Sequence, residues 1–248
     1  MQLSRRRALQ AFGAAAGVAT SAAAQSRIPA TAATPAKQLR EELDACTPDG
    51  DPLDALLQRN RIFSRAWQRS TQASDPQERM RIKQAIFDAS CHIDPHALAQ
   101  GQRPWAALLS CADSRVAPEW MFGLGSGELF QVRVAGNTAF NDGIASLEYA
   151  VAVLQTPLIL VIGHSGCGAV KAAMGREPLT PLLEELVQPI RQSLVAGDDL
   201  SQAIQGNARY AARQLTQRSS TLADAQAAGK VRIATAYFDL QTGLVSTI

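Results

Sequence analysis

Two cysteines and one histidine lie where strongly apolar segments of the chain end. Cys111 directly follows the apolar run 105–110, and His164 and Cys167 come after the more apolar run 158–162. Two soft thiolates and an imidazole match the preference of Zn²⁺, and three protein ligands leave the fourth tetrahedral position open, as in catalytic sites. An H-x-x-C spacing alone is a weak signal, since a lone cysteine at a strand end is more often a small buried hydrophobe. Together these residues predict a catalytic zinc site.

A carboxylate and a guanidinium follow Cys111 in the sequence C-A-D-S-R. A bidentate pair with Arg115 would keep the Asp113 carboxylate ionised and oriented beside the metal. Asp113 could then accept a hydrogen bond from metal-bound hydroxide, which predicts that both residues are catalytic. The alternative is an ordinary surface ion pair, worth ~0–1 kcal/mol.

Two glycines surround Cys167 and give the backbone unusual freedom there. The amide of Gly168 is a candidate donor to a bound anion. A plain tight turn explains Gly166 and Gly168 equally well.

The surrounding pattern predicts an α/β fold with a mainly parallel central sheet, flanked by helices and preceded by an N-terminal helical arm. Short apolar runs alternate with segments of helical periodicity, and a Thr-Gly turn predicts a terminal hairpin. The predicted strands cover residues 105–110, 128–134, 158–162, 231–239 and 244–248. One predicted helix begins at Asp51-Pro52. The other predicted helices cover residues 76–90, 144–154, 181–195 and 200–218. Ligands of such sheets bind outside the carboxyl ends of the strands.

The composition is that of an ordinary globular protein. The chain has 248 residues, of which 46% are hydrophobic and 19% charged, with a formal net charge of +2. This length can bury a core without a structural metal, so a metal here would be functional. No basic stripe and no block of five like charges is present, which argues against nucleic acid as a partner.

The N-terminus predicts export. Three arginines at positions 5–7 precede a mildly apolar run that ends in Ala-Ala-Ala at position 24, which is typical of a secretory signal peptide cleaved after Ala24. The S-R-R-R-A-L sequence is similar to a twin-arginine signal and predicts a periplasmic or otherwise exported protein. The apolar run is too short to span a membrane, so no span is expected in the mature form. A disordered or amphipathic tail is the alternative. We divide the chain into a signal peptide (1–24), a linker or arm (25–50) and a catalytic domain (51–248).

The two metal-ligand motifs together resemble those of the β-class carbonic anhydrases. Members of that class carry C-x-D-S-R and H-x-x-C, which appear here as C-A-D-S-R-V from residue 111 and G-H-S-G-C-G from residue 163. Supporting matches are G-E-L-F at 127, V-A-G-N at 134, S-L-E-Y-A at 146 and Y-F-D at 237, so the resemblance covers roughly residues 104–248. Val134 departs from the pattern, because many members have asparagine there.

The resemblance implies a reaction and its cofactor. One Zn²⁺ per chain, held by Cys111, His164 and Cys167, would hydrate CO₂ reversibly to bicarbonate and a proton through metal-bound hydroxide, with Asp113 and Arg115 beside it. It also implies a homodimer or a higher even-numbered homo-oligomer. Two thiolates cancel the charge of Zn²⁺, so its water should be less acidic than the pKa of about 7 at three-histidine sites. Activity should therefore rise above neutral pH.

Two other functions fit the same residues. A carbonyl sulfide or carbon disulfide hydrolase could use this scaffold, and the shape of the pocket would decide between the substrates. A non-catalytic zinc- or anion-binding protein is the other alternative, although it would need no carboxylate beside an open metal position.

Two cysteines and two histidines remain outside this set. An exported protein could pair Cys46 with Cys91 in a disulfide, and free thiols are the alternative. Cys91, His92 and His96 could imitate a second metal site, but they lack a fourth ligand. We interpret these histidines as surface or proton-shuttle residues.

Overall fold

The computed structural model describes residues 36–88 and 90–248. The predicted signal peptide and the first part of the predicted linker lie outside the described residues, so their predictions remain untested. None of the described helices is both long and apolar enough to cross a membrane.

Five strands form one sheet in the order β2-β1-β3-β4-β5. The first four strands are parallel, and β5 runs antiparallel to β4. The strands are β1 (Ala106–Ser110), β2 (Leu129–Arg133), β3 (Leu158–His164), β4 (Arg232–Phe238) and β5 (Val245–Thr247). The predicted fold class, including the terminal hairpin, is confirmed.

Helices cover both faces of the sheet. They are α1 (Ala36–Leu43), α2 (Pro52–Gln72), α3 (Pro76–Asp88), α4 (Pro95–Gln100), α5 (Pro118–Phe122), α6 (Asn141–Ala152), α7 (Gly168–Met174), α8 (Pro181–Arg191), α9 (Leu200–Arg218) and α10 (Ser220–Ala227). A short 3₁₀ turn, Ala135–Asn137, follows β2.

The central strands are buried from both sides, which explains their continuous apolar runs. Leu108 and Leu160 face a cluster that includes α2 and α5, whereas Leu109 and Val161 face a cluster that includes α6 and α9. All four side chains have no exposed surface. Burial of a leucine or valine contributes about 1.5–3 kcal/mol, so these strands hold the sheet rigidly.

The predicted helix start at Asp51-Pro52 is present, and α2 packs on the domain core. The Asp51 carboxylate accepts hydrogen bonds from two backbone amides of the first turn and caps the helix. Leu56 of α2 is fully buried, and the side chain of Asn60 donates to Met121 O and Gly243 O. This helix therefore covers the core.

The buried carboxylate of Glu128 links α2 to the residues that directly precede β2. Glu128 has no exposed surface and accepts hydrogen bonds from Arg59, from Trp105 Nε1 and from the Gly125 amide. Burial raises the pKa of the Glu128 carboxyl, while the Gly125 amide and the Arg59 guanidinium act in the opposite direction. A carboxylate so buried is stable only because each of these partners satisfies it.

The described part of the predicted 25–50 linker is structured. Helix α1 occupies Ala36–Leu43, and a buried cluster joins Leu43 and Cys46 to Ile93 and Ala97. A disulfide links Cys46 to Cys91, which are 45 positions apart in sequence. Residues predicted as a linker or arm thus include a helix, because tertiary contacts and a covalent bond stabilise a segment of low apolar periodicity. The disulfide also removes Cys91 from any second metal site.

Loss of this disulfide should destabilise the fold without affecting the strand-end cysteines. A bond between cysteines 45 positions apart restricts the unfolded chain, which should contribute about 2–4 kcal/mol to the free energy of unfolding. Urea unfolding of a Cys46→Ser/Cys91→Ser double variant should show this loss. Equal stability, together with alkylation of both wild-type thiols without reductant, would contradict the bond.

Candidate metal centre

The strand order places the predicted ligands at a point where the sheet topology reverses. β1 and β3 are neighbours, while the chain continues from β1 to β2 on one side and from β3 to β4 on the other. Loops that leave two such strands diverge and open a crevice at their carboxyl ends. Cys111 directly follows β1, and His164 is the last residue of β3. Cys167 immediately precedes α7.

The structure brings these three side chains together. Their ligand atoms all lie within 4.8 Å of one another, and each of the three residues is buried. The Sγ atoms of Cys111 and Cys167 are 4.0 Å apart. Tetrahedral geometry with Zn–S bonds of about 2.3 Å separates two sulfurs by about 3.8 Å. The sulfur–sulfur spacing is therefore close to that of a zinc site.

The imidazole of His164 is oriented for metal binding. Its Nδ1 lies 3.1 Å from the Ser165 carbonyl oxygen, which can only accept, so Nδ1 carries the proton. Its Nε2 is buried and has no hydrogen-bond partner among the described residues. A buried, unpaired nitrogen lone pair is costly unless a ligand satisfies it, and a backbone carbonyl at the other ring nitrogen is the usual partner of a metal-bound histidine.

The two sulfurs perturb each other strongly. The hydrogen bond between them lowers the pKa of Cys111 to about 4 and raises that of Cys167, and burial raises both. The hydrogen bond thus favours a thiolate at Cys111, with the shared proton on Cys167. The Gly136 amide also donates to Cys111 Sγ at 3.3 Å, which further favours the thiolate. A dication would displace the shared proton and neutralise both sulfurs.

Asp113 and Arg115 form the predicted bidentate pair beside this cluster. Arg115 Nε donates to Oδ1 at 2.9 Å and Nη2 to Oδ2 at 2.7 Å. The guanidinium holds the pKa of the Asp113 carboxyl well below its usual range. Asp113 Oδ2 is 3.9 Å from His164 Nε2. The pair is therefore part of the cluster's rim and not an isolated surface ion pair.

Comparison with known proteins agrees with this geometry. The family model described as carbonic anhydrase matches residues 106–245. The chain belongs to the carbonic anhydrase family. It is 38% identical over 158 residues to a carbonic anhydrase of Mycolicibacterium smegmatis, and the alignment covers 60% of this chain and 77% of that relative. It is 37% identical over 155 residues to carbonic anhydrase 2 of Mycobacterium tuberculosis, covering 59% and 75%.

Solved structures show the same fold. The β-carbonic anhydrase of Coccomyxa, solved with acetazolamide, aligns with a TM-score of 0.56 at 28% identity, over 61% of this chain and 74% of that one. That of Aspergillus fumigatus named CafA aligns with a TM-score of 0.55 at 28% identity, over 61% and 78%. The chain thus has the β-carbonic anhydrase fold, and members of its family are lyases that hydrate CO₂.

The two glycines around Cys167 differ in their backbone requirements. Gly166 has φ +66°, a left-handed conformation that favours glycine. Gly168 is the first residue of α7 with an ordinary φ, and a Cβ there would meet nothing within 4 Å. The role of the Gly168 amide as an anion donor remains a prediction.

Arg133, which the sequence analysis did not select, fixes the loop that carries Asp113. Its guanidinium donates to the carbonyl oxygens of Cys111, Asp113 and Val116 at 3.0, 3.0 and 2.6 Å. Arg133 is the last residue of β2 and pairs with Ser110 in the sheet, next to Cys111. The sequence did carry a signal for this role, since Arg133 is a charged residue at a strand end, directly before the V-A-G-N match.

We expect Arg133→Met to lower the kcat/KM of CO₂ hydration by about 10-fold, because three carbonyls of the loop lose their donor and Asp113 shifts. The matched control is Arg232→Met, which removes an exposed ion pair with Asp51. Arg232 is the first residue of β4, so this pair lies at the amino end of the strand, whereas the ligands follow the carboxyl ends. Stopped-flow rates compare the two variants. Equal rates would show that Arg133 does not position the loop.

Proposed function

We propose that the protein catalyses the reversible hydration of CO₂ to bicarbonate and a proton, with one Zn²⁺ per chain held by Cys111, His164 and Cys167. One observation carries this proposal: three buried ligand atoms within 4.8 Å of one another lie beside an arginine-bound carboxylate. Membership of the carbonic anhydrase family supports the same reaction.

Zinc would supply a Lewis acid that activates a water molecule for attack on CO₂, moderated by two thiolates that cancel its charge. The Asp113 carboxylate is ionised, so it can accept but not donate a hydrogen bond. At the rim of the ligand cluster it would accept a hydrogen bond from the attacking group and direct that group's lone pair outward. Arg115 donates to both carboxylate oxygens and so fixes the orientation of the carboxylate, while Oδ2 keeps a free lone pair.

An apolar shell surrounds the two cysteines. Val170, Val187 and Ile190 have no exposed surface and pack in the same cluster as Cys111 and Cys167. Exclusion of water strengthens electrostatic interactions within the site and suits an apolar substrate such as CO₂. The proton released in each turnover must leave through the exposed side, where Arg115 lies.

Stopped-flow CO₂ hydration on the zinc-loaded chain tests this function. We expect turnover in the wild type and a loss greater than about 100-fold in Cys167→Ser, because a hard hydroxyl replaces a soft ligand and even outer-shell changes cost 10–100-fold. The Cys46→Ser/Cys91→Ser variant makes the same substitutions away from the cluster and should retain the rate per folded chain.

The pH dependence belongs to the same experiment. The rate should rise above neutral pH, since two thiolates weaken the Lewis acid. A profile already flat below neutral pH would contradict this ligand set. One zinc per chain with no hydration would instead identify a binding protein, and turnover of carbonyl sulfide or carbon disulfide alone would identify a hydrolase.

We further propose that the chain is exported by the twin-arginine route and cleaved after Ala24. The Cys46–Cys91 disulfide supports an oxidising compartment. Export of a folded, zinc-loaded chain would protect Cys111 and Cys167 from oxidation on the way. N-terminal sequencing of the exported protein should begin at Gln25, and export that continues when the twin-arginine pathway is blocked would exclude this route.

An even-numbered homo-oligomer is also proposed. The β-carbonic anhydrases of Sordaria macrospora, which share this fold at a TM-score of 0.56, are described as tetrameric. Light scattering of the purified chain should give the mass of a dimer or tetramer, and a monomer would contradict the proposal.

A further inference from the structure

Asn207 is a buried polar residue that neither the ligand set nor the Asp113–Arg115 pair explains. It lies on α9 among the buried apolar residues Ile204, Ala208 and Ala211, and it is 1% exposed. Its Nδ2 donates to the Gly136 carbonyl oxygen at 2.7 Å. An amide in such surroundings is costly unless its hydrogen bonds are made, so this contact fixes both partners.

Gly136 links Asn207 to the candidate metal centre. Its carbonyl accepts from Asn207, and its own amide donates to Cys111 Sγ at 3.3 Å. Gly136 has φ +77°, and a Cβ there would lie 2.6 Å from Ile190 Cδ1 and 3.1 Å from Ala169 Cβ. Close packing against Ile190 and Ala169 and the hydrogen bond from Asn207 thus both restrain this residue, whose amide points at the sulfur.

The backbone around Gly136 needs such support. Asn137, the next residue, also has a left-handed conformation with φ +46°, which is unfavourable for a non-glycine residue. Its side chain is buried, and neither of its polar atoms has a partner among the described residues. Two consecutive left-handed residues persist only where the surroundings fix them, and the hydrogen bond from Asn207 is part of that fixation.

We propose that Asn207 is a positioning residue for the metal ligand Cys111, acting through Gly136. Its hydrogen bond keeps the Gly136 amide directed at Cys111 Sγ, which stabilises the thiolate and orients it toward the metal position. The inference rests on the zinc site of the proposed function. Asn207 touches neither metal nor substrate, so its effect appears first in metal binding.

Metal affinity and a spectroscopic signature of the thiolate test this role in the full-length chain. In Asn207→Leu, the Kd for Zn²⁺, measured by chelator competition, should rise by about 10-fold or more. The thiolate-to-metal charge-transfer band of the Co²⁺-loaded protein should move to lower energy, because sulfur loses a hydrogen-bond donor. If Asn207→Leu does not fold, the same two readings on Asn207→Ser decide, since its shorter side chain cannot make this contact.

Asn60→Leu is the matched control. Asn60 is a fully buried asparagine whose amide also donates to backbone carbonyls, at 3.1 and 3.0 Å, but away from the cysteines. This control should lower thermal stability while leaving the Kd and the band at wild-type values. Asn207 variants that match it in both readings overturn the inference, whereas a wild-type chain that binds no zinc overturns the proposed function itself.

Discussion

The parallel pairing of β1 with β3 is the contact on which the candidate metal centre depends. Its register runs from Ala107 opposite Ile159 to Ser110 opposite Ile162. Both strands therefore end at the same edge, one followed by Cys111 and the other ending in His164. A slip by one residue would exchange the two faces of a strand and place apolar side chains against the wrong helices. Burial on both faces thus fixes the register, and the register fixes the distance between sulfur and imidazole.

Backbone hydrogen bonds then convert this edge into a defined site. The loop after β1 carries a ligand and a carboxylate but little regular structure, so its carbonyls need donors from elsewhere. Arg133 supplies them from β2, and Arg115 reaches across to the Gly166 carbonyl beside Cys167. Because an arginine has several donors in a rigid plane, one side chain can hold several points of a loop. The positions of the site's side chains are therefore fixed by hydrogen bonds from neighbouring elements more than by the loops that carry them.

The sequence predicted the parts of the molecule that are encoded locally. The motifs around Cys111 and His164 each lie within six residues, and the continuous apolar runs identified the buried strands. Short helices such as α5 and α7 were missed, because five to seven residues show too little periodicity. Predicted helix 181–195 ends in the structure at Arg191.

Contacts between distant segments were not predictable in this way. Arg133 and Asn207 act through backbone atoms of residues far away in sequence, and no pattern of residue types records such a bond. The pairing of Cys46 with Cys91 likewise depends on how α1 and the segment before α4 pack together. Several cysteine pairings and side-chain contacts are compatible with one sequence, and only the folded structure shows which of them form.

The two cysteine pairs require opposite redox conditions during purification. Cys46 and Cys91 are bonded, and Cys91 is partly exposed, whereas Cys111 and Cys167 are free and buried 4.0 Å apart. A thiol reductant added to preserve the second pair also attacks the first by disulfide exchange. Saturation with the metal protects thiolates without supplying a competing thiol. For the proposed zinc site, zinc rather than a reducing agent is therefore the suitable protection during purification.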